Sequence, residues 1–202
     1  MNAPPPPSRP PIDASPYLAE TRAWVQRAVV GLNLCPFAKA PMAKGQIRYV
    51  VCEARDPQAL LDVLCGQMHE LVAADPEQVE TTLVIHPNAL RDFGEFNDFL
   101  DLADAALDEL GYDGVLQVAS FHPQYQFAGT ALDDVSNATN QSPYPTLHLL
   151  REESMDRTVA AFPQADAIFE ANIKTLEALG AEGWSALQAQ CRLDAQPPKV
   201  PR

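Results

Sequence analysis

The chain reads as a single α/β domain built on a mostly parallel sheet of about four strands with flanking helices, in two or three layers. Three observations predict it. Residues 47–53, 81–86, 115–121 and 146–150 are short and largely apolar, and the first is rich in β-branched and aromatic side chains, the composition of strands. Between the first three lie stretches whose apolar residues recur at three- and four-residue spacing, the period of a helix packed on one face. That strand–helix–strand–helix–strand order implies parallel strands joined by right-handed crossovers. At 202 residues and 47% hydrophobic, the chain can bury one core of domain size and is too apolar to be disordered throughout.

The elements follow in order. Ser15 as N-cap and Pro16 at the first helical position start a helix with Leu18, Val25, Val29 and Leu32 on its apolar stripe. Residues 31–33 end it, and a loop runs through Cys35, Pro36, Phe37 and Pro41 to the first strand. Asp56-Pro57 repeats the start signal for a second helix, with Leu60, Leu64, Met68 and Leu71 on one face. The unbroken apolar run of 81–86 suits a strand buried on both faces. Phe93, Phe96, Leu100, Ala103, Leu107 and Leu110 mark a third helix, closed by Gly111. After the fourth strand come helices over 152–161 and 164–180, the second stopped at Gly180, and a short one over 184–191. Residues 1–16 hold seven of the 19 prolines and the last ten residues repeat the pattern, so 1–16 and 193–202 read as disordered tails around a domain at 17–192.

The formal charge of -13 is unevenly spread: residues 1–55 carry +4, residues 56–150 carry -15 with Arg91 as the one base, and residues 151–202 carry -2. Nucleic acid and anionic membrane surfaces demand clustered Lys and Arg, so this acidic balance argues against both. No apolar run approaches the ~18 residues of a membrane span, and Met1 to Pro7 offers no secretory signal, so a cytoplasmic protein is expected. Asp98, Asp101, Asp104 and Asp108 share one helix face; side chains along a straight face do not converge on one ion, and a solvated surface is the simpler reading. Cys35, Cys52, Cys65 and Cys191 form no C-x-x-C pair and no zinc-module spacing, and in a reducing compartment they stay thiols.

Ligands of open α/β sheets bind at the carboxyl ends of the strands. The second strand ends in His86-Pro87 and the third in His122-Pro123, so both histidines fall on that rim. His148 lies between leucines within the fourth strand, where a histidine bonded to backbone is the commoner role. Residues 122–145 form a long connection rich in amide, hydroxyl and phenol groups, with Tyr125, Phe127, Leu132, Val135 and Tyr144 as anchors. Unstructured loops that long are uncommon in compact domains, so an ordered functional loop over the rim is expected. Arg151 follows the fourth strand and suits clamping a carboxylate or phosphate, or pairing with a glutamate; Glu152 and Glu153 suit the first turn of the next helix. Cys35, beside Lys39 and Lys44, becomes a nucleophile only with a histidine partner such as His122. The nine glycines form no phosphate-binding loop, and H-E-x-x-H and G-x-S-x-G are absent.

Three segments carry a resemblance: LNLCPFA (residues 32–38), ASFHPQYQFAGT (119–130) and SPYPTLHLLREESMDR (142–157). They resemble the signature blocks of an uncharacterised bacterial domain-of-unknown-function family of small cytoplasmic proteins, over most of residues 17–180. The resemblance implies no activity or cofactor. It places Cys35, His122, Tyr125, Ser142, Tyr144, His148, Arg151 and Glu152 in signature blocks and leaves His86 outside them.

Three readings result. The first is an enzyme acting on a small anionic substrate at the rim, with His122, His148, Arg151 and Glu152 as catalytic groups. In it Tyr125, Tyr144, Asn140 and Lys39 bind substrate, and a divalent metal, where one takes part, sits on His122, His148 and Glu153. The second is a thiol enzyme using Cys35 with His122; the third is a non-enzymatic binding or accessory protein in which these polar groups hold the long loop.

Overall fold

The computed structural model describes residues 15–161 and 166–196, and places six α-helices on the two faces of one four-stranded sheet. Most of the proline-rich tails lies outside those residues; Ser15 and Pro16 already belong to the first helix, and the last one continues through Asp194.

Helix α1 (Ser15–Trp24) passes into a π-helical segment, Val25–Val30, stopped at Gly31, where a Cβ would collide with the Arg27 carbonyl oxygen. What the sequence suggests as loop holds a 3₁₀ turn, Pro36–Ala38, and a short helix α2 (Lys39–Lys44) before β1 (Ile47–Val51). Helix α3 (Pro57–Ala73) starts as expected, its first turn capped by the Asp56 carboxylate, which accepts the Ala59 N–H at 2.9 Å. Strand β2 (Thr81–Ile85) is buried throughout, α4 (Phe93–Glu109) is capped by Asp92, and β3 (Leu116–Phe121) follows. After the long loop come β4 (Thr146–Arg151), α5 (Glu152–Ala161) and α6 (Asp166–Asp194), the last broken at Gly180 by a left-handed φ of 70°.

The strand order is β1-β2-β4-β3. β1 and β2 pair in parallel; β4 is antiparallel to both β2 and β3. The expected mostly parallel sheet is therefore a mixed one. The cause lies in the β3–β4 connection. A parallel neighbour needs a crossover the length of the sheet, usually a helix. Residues 122–145 hold only a five-residue 3₁₀ turn, Val135–Thr139, so the chain re-enters the sheet at the rim it left, with Phe121 opposite Thr146. Since β3 opposes β4 and β4 opposes β2, the carboxyl ends of β1, β2 and β3 share one rim with the start of β4.

Alternation divides the apolar side chains between two cores. One face sends Cys52, Val84, Leu116, Leu147 and Leu149 against Leu60, Leu64 and Met68 of α3 and Phe96, Phe99 and Ala103 of α4. The other sends Ile47, Tyr49, Leu83 and Phe121 against Trp24, Val25, Ala28 and Val29, with Leu176 and Trp184 of α6. The acidic stripe of Asp98, Asp101, Asp104 and Asp108 is exposed on the outside of α4. Among the described residues no helix is long and apolar enough to cross a membrane.

Arg151 shows what the antiparallel strand does to the expected site. It ends β4 at the rim opposite His122, five residues and about 16 Å along the strand from Thr146. There its Nη2 donates to the carbonyls of Leu71 at 2.6 Å, Ala74 at 2.9 Å and Val79 at 3.1 Å. These belong to the end of α3 and the chain leading to β2, so Arg151 caps a helix C-terminus. Arg151→Ala should cost about 2–3 kcal/mol by stranding these carbonyls, read as a lowered urea midpoint. A substrate clamp on the surface would leave that midpoint unchanged.

Candidate functional site

Both rim histidines lie where the strand ends predicted, and both are structural in their bonding. His86 and His122 are fully buried. They flank Phe96 of α4, with ring centroids 5.7 Å and 5.1 Å from it. His86 Nδ1–H donates to the Ala89 carbonyl at 3.1 Å, while its buried Nε2 has no hydrogen-bond partner. His122 Nδ1 accepts the Gln124 N–H at 3.0 Å, which puts the proton on Nε2, facing the Leu90 carbonyl at 3.3 Å. Leu90 carries a positive φ of 50°, an uncommon conformation for a branched side chain. Burial holds the His86 imidazole down at about 4 despite its bond to Ala89, and lowers His122 as well. Backbone bonds extend the ladder past the strands: His86 N–H to Pro145 O at 3.0 Å and His122 N–H to Asn140 O at 3.1 Å.

His148 is on the other face. Thr81 Oγ1 donates its single proton to the Leu149 carbonyl at 2.6 Å, so it accepts Nε2–H of His148, also at 2.6 Å. The His148 ring packs near Phe121, 6.0 Å between centroids, and burial brings it to about 4. The sheet therefore separates His148 from His122, and Glu153 stands exposed at the opposite rim beside Arg157. The expected metal set does not assemble: the lone pair of His122 Nδ1 is occupied by Gln124. Among the described residues no group of three His, Cys, Asp or Glu side chains could hold an ion.

The other candidates divide in the same way. Cys35 packs into the core beneath α1, across the sheet from His122, and burial, the largest influence, raises its thiol, opposite to what a nucleophile needs. Its pairing with His122 is not formed. Glu152 begins α5 at the far rim, its N–H bonded to Val115 O at 3.0 Å. Lys39 is exposed on α2. Tyr125 packs against Phe93 at a tilt and against Phe127 edge-on, at 5.1 Å and 5.0 Å, and Asn140 Nδ2 reaches Ser120 O at 3.3 Å, so both hold the loop.

That loop is ordered around a buried residue absent from the candidate set. Asn137 Oδ1 accepts the Phe127 N–H at 3.0 Å and the Thr130 hydroxyl at 2.8 Å, and its Nδ2 donates to Ala131 O at 2.9 Å. Leu132, expected as an anchor, is 80% exposed.

A concave feature adjoins this rim: a cleft of about 150 Å³ on the α1/α6 side of the sheet. Pro123 and Ser142-Pro143, at the two ends of the long loop, form one wall; Glu20 and Trp24 of α1 form the second. Gln188, Cys191 and Arg192 of α6 close the third. Tyr144, predicted to bind substrate, stands behind it: its hydroxyl donates to Glu20 Oε2 at 2.6 Å, and its ring meets Tyr17 edge-on at 4.9 Å. Burial, then the Glu20 carboxylate, pushes the phenol up, so it stays protonated as the donor. Trp184 Nε1–H ties α6 to the loop through Gln141 Oε1 at 3.2 Å. The meeting of Glu20, Trp24 and Arg192 at this cleft is not legible in the sequence, because α1 and α6 come together only in three dimensions and nothing in the spacing of these residues names them.

A protein-family model described as "Protein of unknown function (DUF1415)" matches residues 17–186, a span that stops before Gln188, Cys191 and Arg192. No curated protein and no solved structure matches the chain.

Proposed function

We propose that this chain, which belongs to the DUF1415 family, is a small-molecule-binding module of the cytoplasm whose ligand sits in the rim cleft. One observation carries the reading: the cleft lies beside the carboxyl end of β3 and the start of β4, on the rim at which open α/β sheets take ligands, and both ends of an ordered loop wall it. The buried polar groups support a binding role over the catalytic ones. His122, His148 and Arg151 spend their bonds on backbone or on Thr81, and no two of them meet. Four unpaired cysteines accord with a reducing compartment. A cavity of about 150 Å³ holds a molecule of roughly benzene size, so the ligand is small or protrudes.

Amide and indole resonance mapping on the full chain tests this, with γ-aminobutyrate, butyrate, n-butylamine and 1-butanol as probes at millimolar concentration. The reading expects at least one probe to shift the Trp24 indole together with the Gln141 and Arg192 amides. Shifts confined to other surfaces, or none with any probe, would overturn it.

A further inference from the structure

We propose that the cleft selects a short zwitterion, with its ammonium group toward Glu20 and its carboxylate toward Arg192. The inference rests on the binding role above and adds the chemistry of the ligand. It follows from which lining groups are already engaged. Two of the uncharged polar ones are turned inward: Ser142 Oγ donates to Tyr144 O at 2.7 Å. Gln141 accepts from Trp184 and donates to Tyr125 O at 3.4 Å. The Cys191 thiol is buried, and burial raises it, so it presents a neutral wall. What remains to meet a ligand is one carboxylate, one guanidinium and the uncharged amide of Gln188, so the charges on offer are one of each sign.

Those two charges do not neutralise each other. Glu20 and Arg192 both line the cleft, yet among the described residues no ion pair joins them. The neighbouring Arg27 is by contrast committed to Asp194. Glu20 is also aimed. Its Oε2 takes the Tyr144 hydroxyl, which restrains the carboxylate and leaves Oε1 as an acceptor for a cation. Trp24, Pro123 and Pro143 supply apolar contact between the two poles, suited to a short methylene stem. A monoanion would meet the like charge of Glu20, and a monocation the like charge of Arg192. A zwitterion satisfies both ends.

The test is a titration of the full chain, followed by the same resonances, with glycine, β-alanine and γ-aminobutyrate against butyrate, n-butylamine and 1-butanol. At least one zwitterion should bind tenfold or more tighter than all three other probes. Glu20→Gln keeps an acceptor for Tyr144 and should abolish the preference over butyrate; Arg192→Gln should abolish the preference over n-butylamine. Circular dichroism of both variants confirms their folding. Equal affinity for 1-butanol and the zwitterions, or preference unchanged in both variants, would overturn the charge assignment while leaving the cleft as a binding site. No shift at the cleft with any probe would instead remove the site itself, and the assignment with it.

Discussion

Lowering the pH from 7 to 4 should strip about 6 kcal/mol from the folding free energy, through His86 and His148 alone. Both are held neutral at about 4 in the folded protein against 6.5 in the unfolded chain. A group whose folded value is depressed gives its full stabilisation above the unfolded value. That stabilisation is lost as the pH falls through 6.5 toward 4, at about 3 kcal/mol for each. The cause is local in both cases. A proton on His86 Nε2 would be a buried charge with no partner, since that atom has none among the described residues. Burial against Phe121 does the same to His148, whose Nε2 is already committed to Thr81. His122 adds to the loss, because burial disfavours its charged form, and protonating Nδ1 would also displace the Gln124 N–H it accepts. Urea midpoints measured from pH 7.5 to 4 should fall steadily below about pH 6.5. A flat profile down to pH 4.5 would show these imidazoles to be solvated.

Phe96→Ala should be the most damaging single substitution at the rim, at about 4 kcal/mol. Phe96 is fully buried between the two histidines and beside Phe93, 6.4 Å away, so truncation leaves a cavity walled by rings. Phe96→Leu should cost far less by keeping most of the volume. The two predictions are coupled. A cavity beside His86 admits water to its unpartnered Nε2, so the variant should lose less of its remaining stability on acidification than the parent does. Denaturation of both proteins at pH 7 and pH 5 measures this; additive effects would place Phe96 outside the histidines' environment.

The parts of this architecture legible in the sequence are the local ones. Asp56 caps the helix it precedes, and the buried faces of α3 and α4 carry residues their periodicity picks out, whereas the Asp92 cap emerges only in the structure. His86 and His122 were placed on one rim by strand direction alone, and they meet across Phe96. Legibility ends where direction is set by a connection. Reading β4 as parallel put Arg151 and Glu152 beside His122, whereas the helix-free loop turns the strand round and sends them to the far rim. Face alternation then separates His148 and Cys35 from His122. The π-helical segment after Trp24 leaves no composition signal, and Glu20, Trp24 and Arg192 come together through the docking of α1 and α6, which no spacing along the chain encodes.

The position of the ligand is the central claim, and probe-induced shifts of the Trp24 and Trp184 indole resonances test it most directly. Trp24 lines the cleft, while Trp184 stands behind Gln141 in the core. The account predicts that binding of a short zwitterion moves the Trp24 indole strongly and the Trp184 indole weakly, and that Arg192→Gln diminishes both. Saturable binding that leaves Trp24 unmoved, with shifts gathered on Leu90, Phe93 and Gln124 around the two rim histidines, would contradict it and return the site to the other face of the sheet.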